Sequence, residues 1–262
     1  MYLSFYKYQG TGNDFIIVDC MTETVSLNKE QIIFLCNRKF GIGADGLMMI
    51  VADTETDFLM EYYNADGNTG SMCGNGGRCI VNYAFKKKYI GMETNFRAAD
   101  GVHKAIITDT NANRVRLQMG DIKKPVLDSG DVILDTGSPH YVRFVKSAEE
   151  TNVVVEGRKI RFSEAYMQRG ININFVEMQM DELYVRTYER GVEDETLSCG
   201  TGVTASVIAA AFTNLITENG EQKVKTPGGI LSVQYKKSGD GYSDVWLEGD
   251  ASFVYAGKIN IV

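Results

Sequence analysis

Two cysteines in matching glycine-rich settings constrain this chain more than any other feature. Cys73-Gly-Asn-Gly-Gly-Arg and Cys199-Gly-Thr-Gly-Val-Thr each follow a strand-like run and open a helix-like one. The surrounding order also recurs. The first half reads Asn13 to Asp19, Leu47 to Ala52, Phe58 to Gly67, Cys73, then Cys79 to Phe85. The second reads Asn172 to Val176, Leu183 to Gly191, Cys199, then Val203 to Phe212. Strand, polar turn, cysteine and helix, met twice, predict two related halves with one thiol at a helix N-terminus in each.

After Cys199, the residues Val203, Val207, Ile208, Ala211 and Phe212 follow helical spacing, and their small, apolar character suits a helix at the centre of its half. After Cys73, the stripe of Cys79, Ile80, Tyr83 and Ala84 runs into Lys86 to Lys88, a favourable charge for a helix C-terminus. Alternating stretches at Val102 to Thr108, Arg114 to Met119, Val153 to Phe162 and Ile230 to Tyr235 predict strands, with turns at Asp100-Gly101 and Ser238 to Gly241. Few segments reach helix length. The expected fold is therefore α/β of the α+β type: two pseudo-symmetric domains, each a mostly antiparallel sheet curled around a central helix, and not a parallel βαβ sheet. The expected domains are residues 1–119, carrying Cys73, and 120–250, carrying Cys199. The hinge is placed near Gly120, and the C-terminal segment 251–262, with its strand Val254 to Val262, returns to the first domain.

Composition narrows the functional classes. A chain of 262 residues, 44% hydrophobic and with only 3 prolines, can bury a core in each of two domains. A net charge of −7 argues against nucleic acid and anionic lipid as partners. No apolar run is long enough to span a bilayer, and the first residues lack a basic segment followed by an apolar one, so a cytoplasmic protein is expected. Five cysteines without a Cys-x-x-Cys pair, beside two histidines, suit neither a disulfide framework nor a zinc site. No lysine stands in a setting that marks a pyridoxal Schiff base, so neither metal nor cofactor is expected. Gly41-Ile-Gly43-Ala-Asp-Gly46 matches a dinucleotide-binding pattern but precedes a strand-like run, leaving no helix N-terminus for a phosphate.

A helix N-terminus has four backbone N–H groups without intrahelical partners and a partial positive charge, so a thiol there gains thiolate character. Small residues at Gly74, Gly76, Gly200 and Gly202 let a carboxylate approach the same N–H groups. Two such thiols predict proton transfer at both faces of one carbon, with one cysteine as base and the other as acid.

The motifs Gly10-Thr-Gly-Asn-Asp-Phe15, Phe40 to Gly46, Asn64-Ala-Asp-Gly67, Cys73 to Cys79, Pro139-His140, Tyr188-Glu-Arg-Gly191 and Glu195 to Gly202 together resemble those of diaminopimelate epimerases, in that family's order. The resemblance implies a cofactor-independent homodimeric enzyme that interconverts LL- and meso-diaminopimelate. It implies Cys73 and Cys199 as the catalytic pair. Asn13, Asn64, Asn75, Asn172, Glu189 and Arg190 are the implied substrate contacts, with Gly74, Gly200 and Thr201 offering backbone N–H groups to the reacting carboxylate. Arg190 suits the distal carboxylate, whose two oxygens match a guanidinium fork. His140 and Glu189 are implied to assist in setting thiol protonation. Two departures stand out: Ser138 occupies a position where the family generally has asparagine, and the loop Val192 to Glu195 is one residue longer than usual and lacks glycine.

Rival readings are a proline or hydroxyproline racemase, whose first motif usually reads Cys-Gly-His-Gly where this chain has Asn75, and a related isomerase with a carboxylate base. A non-catalytic bilobed amino-acid-binding protein is the third, for which reactive thiols would be an oxidation hazard. If the thiols are catalytic, activity should require a reductant.

Overall fold

The computed structural model describes residues 2–70, 72–111 and 113–261. The chain divides into two compact units, one of Met1–Leu117 with Gly249–Val262 and the other of Gln118–Glu248.

Unit 1 is a sheet in the order β17-β1-β2-β3-β4-β5-β6-β7, formed by Ser252–Asn260, Tyr2–Gly10, Asn13–Cys20, Gly46–Val51, Phe58–Asn64, Glu93–Ala98, Gly101–Asp109 and Arg114–Gln118. All neighbours run antiparallel except β2–β3 and β4–β5. Each parallel pair is joined by a helix, α1 (Lys29–Cys36) for the first and α2 (Gly74–Lys86) for the second. The sequence runs Phe15-Ile-Ile-Val and Leu47-Met-Met-Ile are apolar without a break because both sheet faces are covered there. Phe15, Ile17, Met48 and Ile50 pack towards α2, while Ile16, Val18, Leu47 and Met49 pack against Ile32, Leu35 and Cys36 of α1.

Unit 2 repeats this plan. Its strands β8 (Val126–Asp128), β9 (Asp131–Asp135), β10 (Pro139–Phe144), β11 (Asn172–Met178), β12 (Glu182–Glu189), β14 (Gly220–Thr226) and β15 (Gly229–Ser238) pair in that order. The short β13 (Asp194–Thr196) lies on the end of β12, and β16 spans Gly241–Asp250. The parallel pairs are again two, β10–β11 across α3 (Val153–Arg161) and β12–β14 across α4 (Gly200–Phe212). Residues 202–211 of α4 are buried without exception, and Val203, Val207 and Ile208 each contribute about 1.5–3 kcal/mol by leaving water.

The mixed α/β class holds, with three differences in detail. Val153 to Phe162 is a helix, not a strand. Its Val-Val-Val start favours extended backbone, but Asn152 accepts a hydrogen bond from the Val155 N–H at 3.2 Å as N-cap. Glu156 lies in the first turn, and Arg158, Lys159 and Arg161 lie in the last, where the helix dipole favours them. Only Val153 and Gly157, four residues apart, are buried. A Cβ on Gly157 would come within 2.5 Å of Tyr188.

The sheets, mostly antiparallel as expected, also hold four helix-linked parallel pairs. Finally, β11 with its Asn172 is the counterpart of β3, because α3 precedes it as α1 precedes β3; the counterpart of Asn13 on β2 is therefore the start of β10, at Ser138 to His140. Val262, the last residue of the expected C-terminal strand, lies outside the described residues.

Candidate active site

In unit 1, Cys73 is the N-cap of α2 with extended backbone, and its side chain makes no capping bond to the helix. Serine, threonine or aspartate would cap better by about 1 kcal/mol, so this cysteine is not there for helix stability. Its sulfur lies 3.6 Å from Asn13 Oδ1. The Asn13 amide is oriented by its other end, where Nδ2 donates to Asp45 at 2.5 Å. Asp45 in turn accepts from Arg38 at 2.8 Å, and Arg38 grips Asp14 through two bonds of 2.9 and 2.6 Å. Buried Lys7 completes the group at 2.7 Å from Asp14. Burial alone would raise the Asp14 carboxyl, but hydrogen bonds from Arg38 and Lys7 outweigh it and hold the group well below the usual carboxylate range.

The β1–β2 hairpin enters the same site. Its two-residue turn places Thr11 at φ 49° and Gly12 at φ 87°, a left-handed pair that a β-branched residue rarely adopts. The strained Thr11 is buried against α2, where its hydroxyl lies 3.3 Å from Asn75 Oδ1 and accepts from Arg78 at 3.1 Å. Arg78 also donates to Asn75 Oδ1 at 2.8 Å.

In unit 2, Cys199 is likewise an extended N-cap without a capping bond, and its sulfur lies 3.4 Å from the Thr201 hydroxyl. The Thr201 carbonyl accepts from Thr136 at 3.0 Å. Behind this turn lies a buried amide and imidazole network. Asn174 Nδ2 reaches His140 Nδ1 and the Tyr141 carbonyl, both at 3.1 Å, while its Oδ1 accepts from Thr187 at 2.9 Å. Asn172 donates to Ser138 Oγ at 2.8 Å and accepts the Arg190 backbone N–H at 2.9 Å. Burial, and then the charge of Arg190, push the His140 pKa down to about 3, so the imidazole is neutral at physiological pH.

The structure thus brings Asn13, Cys73, Gly74 and Asn75 together in unit 1, and Ser138, His140, Asn172 and Arg190 together in unit 2. Gly200 and Thr201 form the first turn of α4. Glu189 ends β12 and accepts from Thr196 on β13 at 2.9 Å. That short strand uses the longer loop, and its Glu195 pairs with Arg186 at 2.7 Å. Asn64 ends β4, exposed, with its backbone closing the turn to Asn68 at 2.9 Å. Thr11, Asp45, Arg78, Asn174 and Thr187 were not anticipated. The Gly41 to Gly46 segment leads into β3 and opens no helix. Cys20, Cys36 and Cys79 are buried, and burial raises their thiols, to about 11 for Cys36. Among the described residues no cluster of three His, Cys, Asp or Glu side chains could hold a metal ion, and no helix is long and apolar enough to cross a membrane.

Solved structures share the fold at low identity. A Bacillus anthracis phenazine biosynthesis protein of the PhzF family superposes with a TM-score of 0.75 at 14% identity over 100% of both chains. An Agrobacterium vitis hydroxyproline epimerase superposes at 0.71 with 11% identity, over 98% of this chain and 92% of that one. A diaminopimelate epimerase of Flavobacterium psychrophilum is 45% identical over 255 residues, 97% of this chain and 98% of that protein. One from Aquifex aeolicus is 35% identical over 277 aligned positions, 98% of each. The family model for diaminopimelate epimerase matches residues 5–125 and 132–254, and the chain belongs to that family.

Proposed function

We propose that the protein inverts one α-carbon of diaminopimelate, interconverting the LL and meso forms by a two-base reaction of Cys73 and Cys199 without a cofactor, in the route to lysine and peptidoglycan precursors. The observation that carries this reading is the repeated N-cap. In each unit a cysteine with no capping bond stands before a glycine whose N–H opens a buried helix.

The chemistry follows from that layout. An α-proton beside a carboxylate and an ammonium is very weakly acidic. Its removal by a thiolate leaves an electron pair that moves onto the carboxylate oxygens. Unpaired N–H groups at Gly74, Gly200 and Thr201, reinforced by the helix dipoles, stabilise the charge as it develops there. The thiol of the other cysteine delivers a proton to the opposite face and becomes the thiolate. One inversion leaves the two sulfurs with their protonation exchanged; after product leaves, the new thiol loses its proton to water and the new thiolate gains one, and the reverse reaction uses the two sulfurs in opposite roles.

The remaining residues orient the reactants. Asn13 is held by Asp45, so its carbonyl faces Cys73. His140 is neutral and serves this reading as a fixed hydrogen-bonding group that positions Asn172 and Asn174, not as a cation. Ser138 accepts from Asn172 and so keeps that amide oriented where the family's asparagine is missing. Asn64, Asn75, Asn172, Glu189 and the Arg190 fork bind the substrate's two amino acid heads. The reading includes a cytoplasmic homodimer, which sedimentation would register as twice the 29.1 kDa chain mass.

The test is substrate choice. Reduced protein is incubated with LL-diaminopimelate, L-proline and trans-4-hydroxy-L-proline, and the products are resolved by chiral chromatography. Formation of meso-diaminopimelate alone is expected. Inverted proline or hydroxyproline beside untouched diaminopimelate would overturn the assignment.

A further inference from the structure

Arg78 breaks two rules at once. It is wholly buried, and it sits in the second turn of α2 with its guanidinium at the helix N-terminus. Helical side chains lean towards the N-terminus, and this one reaches back to the Gly74 carbonyl at 3.4 Å and to Asn75 Oδ1 at 2.8 Å, the two residues that follow Cys73. A cation there is opposed both by loss of water and by the positive end of the helix dipole. Its acceptors, the Gly74 carbonyl, Asn75 and Thr11, are all neutral, and its Nε has no partner.

Among the described residues, the carboxylate whose charge reaches Arg78 is that of Asp250, and it is shared and solvated. Asp250, where β16 ends, is half-exposed and lies 3.5 Å from Arg114 of β7. Cys79, next along the helix, is raised far above its ordinary value by burial and remains a thiol. On the other side of Cys73, Lys7, Arg38, Asp14 and Asp45 pair among themselves and sum to no net charge. Besides Asp250, the group beside Arg78 that can become an anion is the Cys73 sulfur, whose negative charge favours the guanidinium and is favoured by it.

Among the described residues, unit 2 has no buried arginine in the equivalent place. The counterpart of Arg78 in α4 is Thr204, whose hydroxyl makes the same contact, donating to the Gly200 carbonyl at 3.0 Å, but carries no charge. Arg190, at the end of β12, is exposed and donates to the Arg169 carbonyl.

We propose that Arg78 is a positioning residue that makes Cys73 the resting thiolate and leaves Cys199 the resting thiol. It rests on the reading of both cysteines as acid and base. A buried guanidinium beside one sulfur only would set the proton inventory of the free enzyme before substrate arrives, and so fix which enantiomeric centre is attacked by the standing base.

The experiment measures the thiols without turnover, so it fails separately from the epimerase assignment. The pH dependence of iodoacetamide alkylation is followed by mass spectrometry, for Cys73 in a Cys199→Ala background and for Cys199 in a Cys73→Ala background. The apparent pKa of Cys73 should be the lower of the two. Arg78→Met should raise it by about one unit or more, Arg78→Lys should restore most of the shift, and the acid limb of the kcat profile should move with it while KM changes little. Equal values for the two cysteines, or an Arg78→Met variant that melts earlier with the Cys73 value in place, would overturn the proposal. If Arg78→Met does not fold, thermal unfolding of wild type and Cys73→Ser from pH 6 to pH 10 decides. A depressed thiol pKa stabilises the folded state above the unfolded thiol value, so the wild-type advantage should grow as pH rises. An advantage that does not grow with pH would refute the proposal.

Discussion

Adding one methyl group should have opposite effects in the two central helices. Gly76 and Gly202 occupy equivalent third positions after their cysteines, and Gly77 is the equivalent of Val203. A Cβ at Gly202 would stand 2.4 Å from Asn174 Oδ1 and 3.3 Å from Thr187 Oγ1, both buried and hydrogen-bonded to each other. Asn174 cannot yield without leaving Thr187, His140 or the Tyr141 carbonyl. Overpacking of this kind costs about 1–3 kcal/mol, and a buried amide left unpaired about 1–3 kcal/mol more. The better helix propensity of alanine offsets about 1 kcal/mol. The net loss for Gly202→Ala is about 3 kcal/mol, or about 6–12 °C in melting temperature at 2–4 °C per kcal/mol for a chain of this size. At Gly77 the same Cβ meets Met72, Leu117 and Phe96 at 3.4, 3.5 and 3.7 Å, ordinary contacts, so Gly77→Ala should gain up to about 1 kcal/mol. Differential scanning calorimetry of both variants checks the pair. A Gly202→Ala protein as stable as Gly77→Ala would refute the reasoning that the Asn174 network fixes this glycine.

Two further outcomes concern pH. Asp14 has a folded pKa below its unfolded one, so its contribution is present above about pH 4 and lost as pH falls through the folded value; Asp14→Asn should melt well below wild type at pH 7, with the gap closing towards pH 2. A constant gap would show that charge is not the cause. His140 is held neutral, its pKa lowered from 6.5 to about 3, so its stabilisation is complete above 6.5 and drains away as pH falls towards 3. His140→Gln should lose that slope in thermal melts. It should also leave any acid limb of kcat/KM between pH 5 and 8 in place, and a limb that vanishes in the variant would contradict a neutral imidazole.

Much of this arrangement could be read from the chain. Both cysteines announce themselves because cysteine is a poor N-cap and glycine a poor helix residue, so their recurrence needs a ligand to explain it. The runs at Phe15 and Leu47 are strands with two covered faces, readable as apolar segments although the cover on the α1 side was not. Helix α1 was missed despite a reciprocal capping box between Asn28 and Gln31, at 2.9 and 3.0 Å, because its eight residues bury only Ile32, Leu35 and Cys36. Helix α3 was misread because β-branching at Val153 to Val155 outweighed a cap and a charge pattern that were both present. That error also shifted the alignment of the repeats by one strand. Supporting residues such as Asp45, Arg78 and Asn174 were invisible for another reason. Their roles come from partners far along the chain, 32 residues from Asp45 to Asn13 and 67 from Arg78 to Thr11, and no local pattern encodes those pairings.

The measurement that bears most directly on the two-thiol account is proton NMR of LL-diaminopimelate in D2O with reduced wild-type protein, Cys73→Ala and Cys199→Ala. The wild type should replace the α-proton with deuterium as the meso isomer forms, because the acid on the second face delivers a solvent-derived deuteron. Each single variant should form no meso product, since one of the two faces then lacks its acid or base. Epimerisation at a rate near wild type in either variant would show that a single cysteine suffices and would contradict the account.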